Sequence, residues 1–213
     1  MNMFTFFSAC LLRLALLSAL CLSAGAASAQ TAPTWASVQR SGAVSPNNAN
    51  CNGGRITVAA DGSRYTTGSF YGTITLGSFT LSSGAGFTTR SYLVKYNAAG
   101  VVVWVKQRDS TGGQGTVDYR DAELAVDAVG NVYLSGGFNS SVTFDATTLT
   151  TATHDAYLVK YDAQGMLQWA RQGGSPDVET GGLAVDASGN VCVSGYFQST
   201  VSFGGSVIAG GGV

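Results

Sequence analysis

The chain has 213 residues, of which 11 are basic and 12 are acidic, so its formal net charge is −1. Only 11% of the residues are charged, and no excess of positive charge favours nucleic acid or an anionic membrane as a partner. The abundance of Gly, Ser and Thr is typical of disordered chains, but regularly placed Val, Leu, Phe, Tyr and Trp predict a folded protein.

Residues 1–29 have the pattern of an export signal. They hold one charged side chain, Arg13, then an apolar core of Leu and Ala, and they end in Ala-Ser-Ala before Gln30. Small residues at the first and third of these positions are what signal peptidase requires. The pattern predicts a cleaved signal peptide and a secreted or cell-surface protein. An uncleaved anchor is the alternative, and no later segment is apolar enough to span a bilayer.

A strand-rich repeat of roughly sixty residues fills the remainder of the chain. Its first block reads ITVAADGSRYTTGSF at 56–70, LAVDAVGNVYLSGGF at 124–138 and LAVDASGNVCVSGYF at 183–197. Its second block reads SYLVKYNAAGVVVWVKQ at 91–107 and AYLVKYDAQGMLQWARQ at 156–172. The spacing changes only between blocks, which places the insertions in loops.

These blocks divide the chain into an N-terminal segment and three repeats. Residues 30–55 contain a strand around Trp35 that is similar to the tryptophan strand of a preceding unit. Repeat 1 covers 56–107, repeat 2 with its leading loop covers 108–172, and repeat 3 with its loop covers 173–213. Repeat 3 lacks the second block, so the sequence predicts about two and a half repeats.

Each block is predicted to be a β-hairpin. Apolar and polar residues alternate in the flanking segments, as in Val142-Thr143-Phe144, and no segment after residue 29 has helical periodicity. The hairpin turns begin with Asp or Asn, whose side chain holds the turn backbone, and include a Gly that takes a positive φ. The predicted turn residues are Asp127, Gly130, Asn131, Asp162, Gly165, Asp186, Gly189 and Asn190, with Asn97 and Gly100 as equivalents in repeat 1. In the first block of repeat 1, Ala59 replaces the turn aspartate.

The run AVDAxGNVYxSG, followed by DAYLVKYDAxGxxxWA, resembles the SBBP family of β-propeller repeats of bacterial exported and cell-surface proteins. The resemblance covers nearly all of the chain after residue 29 and is closest in repeats 2 and 3. It implies an extracytoplasmic all-β fold of propeller-like blades with four to five antiparallel strands each, and it fixes no activity.

The number of repeats is too small for a closed propeller. Propellers typically have about four to eight blades, and four blades of this length need more residues than follow residue 29. The chain is therefore expected to be the front part of a longer protein. An open stack with exposed edges and an assembly of several chains are the alternatives.

The sequence offers few residues for catalysis or metal binding. The only histidine, His154, is predicted to be a solvated residue in a loop between Leu149 and Tyr157. Cys51 and Cys192 remain after signal cleavage, and we expect two separate small apolar residues rather than a disulfide, since Cys51 is predicted to lie in a loop two repeats away. One histidine and two distant cysteines do not make a zinc site of the usual kind.

Loop carboxylates and aromatic residues are the candidate ligand-binding groups of the sequence. Asp118 and Asp177 are repeat equivalents and weak candidates for calcium, against the simpler interpretation of solvated loop acids. Asp121 and Glu123 are the nearest approach to a glycosidase pair. The aromatic residues Tyr92, Tyr96, Trp104, Tyr157, Tyr161 and Trp169 recur at fixed repeat positions, which favours packing between blades over sugar stacking.

The sequence predicts an exported, non-enzymatic repeat scaffold that binds an unidentified protein or glycan through variable loops. No catalytic or cofactor-binding residue is predicted, and no cofactor. The alternative is an extracellular protein that binds or processes carbohydrate, which would use the aromatic and acidic loop residues.

Overall fold

The computed structural model of the protein describes residues 42–43, 50–84, 89–111, 122–174, 178–198, 200–204 and 206–209. These residues form fifteen β-strands and no helix, and all strand pairings are antiparallel. The predicted all-β fold is confirmed. Nothing in this part of the chain is a helix capable of crossing a bilayer. The predicted signal peptide and the Trp35 strand lie outside the described residues.

Repeat 1 folds as a four-stranded antiparallel meander with a small hairpin in its middle. The meander consists, in order of pairing, of β2 (Asn50–Val58), β3 (Arg64–Tyr71), β6 (Arg90–Tyr96) and β7 (Val102–Thr111). The small hairpin consists of β4 (Thr73–Leu76) and β5 (Phe79–Ser82), and β1 (Gly42–Ala43) pairs with β4.

Cys51 lies in β2, opposite Phe70. The prediction that Cys51 lies in a loop is therefore wrong. The reason is that β3 extends to Tyr71 and supplies backbone partners for the chain from Asn50 onward, before the expected start of repeat 1 at residue 56.

Repeat 2 also folds as four strands, of which the two inner ones are longer than their equivalents in repeat 1. They are β8 (Glu123–Val126), β9 (Val132–Phe144), β10 (Thr147–Tyr161) and β11 (Leu167–Gly173), paired in this order. In repeat 1 the chain leaves β3 at Gly72, which has a φ of 79°, whereas the equivalent Ser140 takes a φ of 58° within β9. The end of β7 also pairs with β9, which joins repeats 1 and 2.

His154 lies in β10, opposite Asn139 of β9, so the prediction of a loop histidine is wrong. Strand β9 continues to Phe144 and therefore offers backbone partners to β10 on both sides of residues 151–153. An irregularity between Thr150 and His154 takes up the additional residues, as a β-bulge does.

Repeat 3 is described as two separate hairpins. The first consists of β12 (Val178–Val185) and β13 (Val191–Phe197), and the second of β14 (Thr200–Phe203) and β15 (Ser206–Ala209). Among the described strands, β13 pairs only with β12. Its equivalents β3 and β9 each have a strand on both edges.

The block hairpins share one turn geometry. The N–H of a glycine donates to the carbonyl three residues earlier at 2.9–3.1 Å, in the pairs Gly62–Ala59, Gly100–Asn97, Gly130–Asp127, Gly165–Asp162 and Gly189–Asp186. The φ of these five glycines lies between 79° and 86°, which only glycine adopts readily. In repeat 1 the carboxylate of Asp61 replaces the one missing at Ala59 and accepts from the N–H of Ser63 at 2.8 Å.

The turn aspartates act through their ionised form. Asp127 Oδ1 accepts from the N–H groups of Val129 and Asn131 at 3.1 and 2.8 Å. Partial burial raises the pKa of Asp127, but the hydrogen bonds outweigh it and hold the pKa below its ordinary value. Hydrogen bonds from the side chain and backbone of Asn190 likewise lower the pKa of Asp186.

Equivalent aromatic pairs pack inside repeats 1 and 2. Tyr65 and Trp104 have ring centroids 5.9 Å apart, and their equivalents Tyr133 and Trp169 are 6.2 Å apart. A lysine lies over each tyrosine ring, Lys95 in repeat 1 and Lys160 in repeat 2. The recurrence of aromatic residues in the sequence thus reflects packing within the scaffold.

Repeat 2 docks on repeat 1 through the backbone of its turns. Trp104 Nε1 and Lys95 Nζ both donate to the carbonyl of Ala163, at 3.2 and 2.8 Å, and Tyr65 Oη donates to the carbonyl of Gly130 at 2.9 Å. The Trp104 ring lies against Gly165, where a Cβ would come within 2.9 Å of the indole. Side chains of one repeat therefore recognise the turn shape of the next.

Repeat 3 does not dock on repeat 2 in this way. The hydroxyl of Tyr133 donates to Asp127 of its own repeat, and no atom lies within 4 Å of a Cβ built on Gly189. Trp169 is half-buried, whereas Trp104 is buried.

We expect Trp104→Ala to lower the free energy of unfolding by about 3–5 kcal/mol, because it removes a buried ring and one of the hydrogen bonds between the repeats. Trp169→Ala is the matched control. It should lower the free energy of unfolding clearly less, since the indole of Trp169 is half-buried and makes no described hydrogen bond. Urea unfolding of both variants measures the difference. Equal losses would contradict this account of the interface.

The core tyrosines predict loss of stability in alkali. Burial, followed by the charges of Asp61 and Asp127, raises the pKa of Tyr65 to about 12, and burial also raises the pKa of Tyr92 and Tyr161. An unfolded phenol ionises near pH 10, so the unfolded state loses protons first and the free energy of unfolding falls above about pH 10.

Urea unfolding at about pH 9 and about pH 11 measures this alkaline dependence. In Tyr65→Phe the free energy of unfolding should fall less between the two pH values, because the substitution removes one of the phenols with a raised pKa. A free energy of unfolding that is the same at both pH values would show that these phenols are not buried in the folded protein.

Candidate functional site

Two cavities lie between neighbouring repeats, and they differ in size. The one between repeats 1 and 2 has a volume of about 20 Å³ and is bordered by Arg108 and Tyr161. It has room for one water molecule. The one between repeats 2 and 3 is an open cleft of about 370 Å³. This size lies within the range of small-molecule sites, so we consider the cleft as the candidate site.

Two cross-strand pairs from adjacent repeats form the cleft walls. Asn139 and His154 lie opposite each other on β9 and β10 of repeat 2. Glu179 and Tyr196 lie opposite each other on β12 and β13 of repeat 3, and Gln198 follows β13. Directly opposed residues project from the same face of a sheet, which explains why each pair reaches the cleft together.

A glycine positions the histidine. The imidazole of His154 lies against Gly137, where a Cβ would come within 2.6 Å of both Cε1 and Nε2. The equivalent residues in repeats 1 and 3 are Ser69 and Tyr196, so the space beside residue 137 is particular to repeat 2. A side chain at residue 137 would force the half-buried imidazole to move.

The cleft is polar and carries little charge. With His154 neutral, the carboxylate of Glu179 is the only charge among the five lining side chains. The neighbouring Asp155 is buried and accepts hydrogen bonds from Thr153 and Gln172. Two amides, an imidazole, a phenol and one carboxylate offer donors and acceptors to a neutral or cationic polar ligand.

The lining residues include one of the two carboxyl groups that a glycosidase usually needs. Glycoside hydrolysis usually needs two carboxyl groups across the scissile bond, and the described cleft supplies Glu179 alone. Within the described ranges, no group of three or more His, Cys, Asp or Glu side chains is placed to hold a metal ion.

Of the residues singled out in the sequence, His154 lines the cleft. Asp118, Asp177 and Asp121 are outside the described residues. Glu123 forms an ion pair with Arg55 at 2.6 Å, between repeats 2 and 1. The turn residues serve the scaffold and do not line the cleft.

Cys51 and Cys192 are both thiols rather than halves of a disulfide. Cys51 Sγ lies 3.5 Å from the hydroxyl of Tyr92. Cys192 is exposed on β13, where the other repeats carry the buried Tyr65 and Tyr133, so it does not behave as a buried apolar residue.

Sequence reasoning missed four of the five cleft residues and assigned His154 to a loop. One signal was present in the repeat alignment, since Asn139 and Gln198 hold the same position of repeats 2 and 3. Pairing of Asn139 with His154 depends on the bulge in β10, which the spacing of apolar residues does not reveal.

No family model matches the sequence. An uncharacterized WD repeat-containing protein, L264 of Acanthamoeba polyphaga mimivirus, is 24% identical over 134 residues, which cover 52% of this chain and 10% of the relative. This chain therefore spans about a tenth of the length of that relative. WD repeats form propeller blades of four antiparallel strands, which agrees with the propeller-like repeats described above.

Proposed function

We propose that this protein is an exported, non-enzymatic β-propeller-like scaffold that binds a polar ligand in the cleft between repeats 2 and 3. The observation that carries the proposal is that Asn139 and His154 of repeat 2 line the same open cleft as Glu179 and Tyr196 of repeat 3. The shared hairpin frame holds these side chains, and they differ from their equivalents in repeat 1.

Three features support the scaffold part of the proposal. Repeats 1 and 2 contain the same tyrosine–tryptophan and tyrosine–lysine pairs, and their turns share one geometry. The length of the chain varies only between the blocks. The likeness to a WD-repeat protein supports a scaffold without catalytic function. We further propose that the repeats belong to the SBBP family and form part of a longer array.

A neutral carbohydrate is the specific ligand class that the cleft favours. Asn139 and Gln198 offer amide donors and acceptors, and Glu179 offers acceptors, for the paired hydroxyls of a sugar ring. The ring of Tyr196 is 55% exposed and can face the apolar side of a sugar. The contribution of Glu179 also argues against an anionic ligand.

His154 gives a direct assay, because the imidazole of the sole histidine has unique NMR signals. We expect one or more neutral mono- or disaccharides to shift these signals. Gln198→Ala should weaken binding about fivefold, the equivalent of one hydrogen bond. Gln164→Ala, in an exposed turn away from the cleft, is the matched control and should leave the affinity unchanged. Unmoved imidazole signals across the panel would exclude a carbohydrate in the cleft.

Export is tested by the N-terminus of the protein secreted from a bacterial host. We expect it to begin at Gln30, because Ala27 and Ala29 satisfy signal peptidase. Ala29→Phe places a bulky residue at the cleavage site and should leave the precursor uncleaved. Recovery of the wild-type chain from the cytoplasm with residues 1–29 intact would show that the segment is not an export signal.

A further inference from the structure

A buried carboxylate of repeat 2 pairs with no cationic side chain of the described residues. Asp155 of β10 is 6% exposed, and it takes part in none of the ion pairs within this part of the chain. Its partners are neutral. Oδ1 accepts a hydrogen bond from the hydroxyl of Thr153 at 3.2 Å, and Oδ2 accepts one from Nε2 of Gln172 at 2.5 Å. Burial of a negative charge is unfavourable unless a positive charge compensates it.

The equivalent place in repeat 1 holds an ion pair. Arg90 of β6 occupies the position of Asp155, and its guanidinium lies 3.6 Å from the carboxylate of Asp109 on β7. In repeat 2 the carboxylate is on β10 instead, and Gly174 takes the position of Asp109. A Cβ on Gly174 would come within 2.7 Å of Oδ2 of Asp155, so the glycine leaves room beside the carboxylate. Repeat 2 thus has the negative charge of such a pair without a described side chain to balance it.

Oxygen atoms from the bulge in β10 lie beside this carboxylate. Gln172 Nε2 donates both to Asp155 and to the carbonyl of Thr150, the latter at 3.0 Å, so one amide group joins the two acceptors. The hydroxyl of Thr153 lies 3.3 Å from that of Thr151. The register shift that follows Thr150 brings these groups together, because the additional residues fold back towards the carboxylate.

These groups match the ligands that calcium prefers. Ca²⁺ takes about six to eight oxygen ligands from carboxylates, backbone carbonyls, side-chain amides and water. The two ends of a glutamine amide have the same shape, so half a turn of the Gln172 amide presents Oε1 in place of Nε2. The carbonyl of Thr150, the hydroxyl of Thr153 and the carboxylate of Asp155 then offer oxygens to the same ion. A single acidic ligand predicts weak binding, with a dissociation constant on the order of 10⁻⁴–10⁻³ M, as in extracellular modules.

We propose that the bulge in β10 is a calcium site in which Asp155 is the acidic ligand. Thr150, Thr153 and Gln172 supply neutral oxygens, and water completes the coordination. The ion balances the buried charge, as a cationic side chain does in repeat 1. This site goes beyond the proposed function, because it requires no ligand in the cleft.

The proposed ion and the candidate cleft lie on opposite faces of one strand. Asp155 and His154 are consecutive residues of β10, so their side chains project to opposite sides of the sheet. Bound calcium holds the bulge that sets His154 opposite Asn139. The imidazole therefore reports on the ion without being one of its ligands.

A calcium titration of the full chain, followed by the NMR signals of the His154 imidazole, tests the site in the absence of any saccharide. We expect the signals to shift and to saturate with a dissociation constant of about 10⁻⁴–10⁻³ M. Asp155→Asn should weaken binding at least about tenfold, because the amide carries no charge. Thr153→Val is a second variant at an exposed residue. It removes one neutral ligand and should weaken binding several-fold while the protein stays folded.

Glu179→Gln is the matched control, because it removes the carboxylate of the cleft and leaves Asp155 in place. Its calcium affinity should equal that of the wild type. Magnesium, which requires a smaller octahedral site and gives up water reluctantly, should shift the signals far less at the same concentrations. The absence of a saturable shift with calcium, or an equal response to magnesium, would overturn the proposal.

The variants also locate the ion. Loss of the calcium response in Glu179→Gln, with its retention in Asp155→Asn, would overturn the proposal by placing the ion in the cleft. Saccharide binding is measured separately, so a cleft that binds no saccharide leaves the calcium result unaffected.

Discussion

The structure depends on one interaction, in which an indole and a lysine of repeat 1 donate hydrogen bonds to the turn backbone of repeat 2. Trp104 and Lys95 converge on the carbonyl of Ala163, and the glycine of that turn lies against the indole. Two donors on one half-buried acceptor satisfy polar groups that would otherwise lose water without gaining a partner. The contact needs a turn of fixed shape, which explains why both blocks keep a glycine with positive φ while the loops between them vary.

That interaction distinguishes the junction of repeats 1 and 2 from the junction of repeats 2 and 3. Repeats 1 and 2 share a backbone pairing between β7 and β9, and the Tyr65–Trp104 pair of repeat 1 is buried. Strand β13 of repeat 3 is exposed. Within the described residues, Lys160 and Trp169 of repeat 2 donate no hydrogen bond to a turn of repeat 3. The polar cleft lies at this second junction. The polar side chains of the cleft thus occur where the repeats differ, on strands whose position is set by what the repeats share.

Much of the fold followed from the sequence, because hairpins are local structures. Alternating residues and Asp-to-Gly turns specify their own strands, so the all-β fold could be predicted. Features that depend on non-local pairing could not. His154 and Cys51 were assigned to loops because their strands exist only through the length of β9 and β3. The cleft needs a cross-strand pair from each of two repeats, and only Asn139 and Gln198 shared a visible repeat position.

Amide hydrogen exchange tests the central claim most directly, since it reports the local stability of each strand. The account predicts slow exchange along β3 and β9, where both edges are paired, and fast exchange along the outer edge of β13. The equivalence of the three strands makes this an internal comparison within one protein. Protection of β13 equal to that of β9 would contradict the account, because it would mean that repeat 3 is covered and docked like the other two.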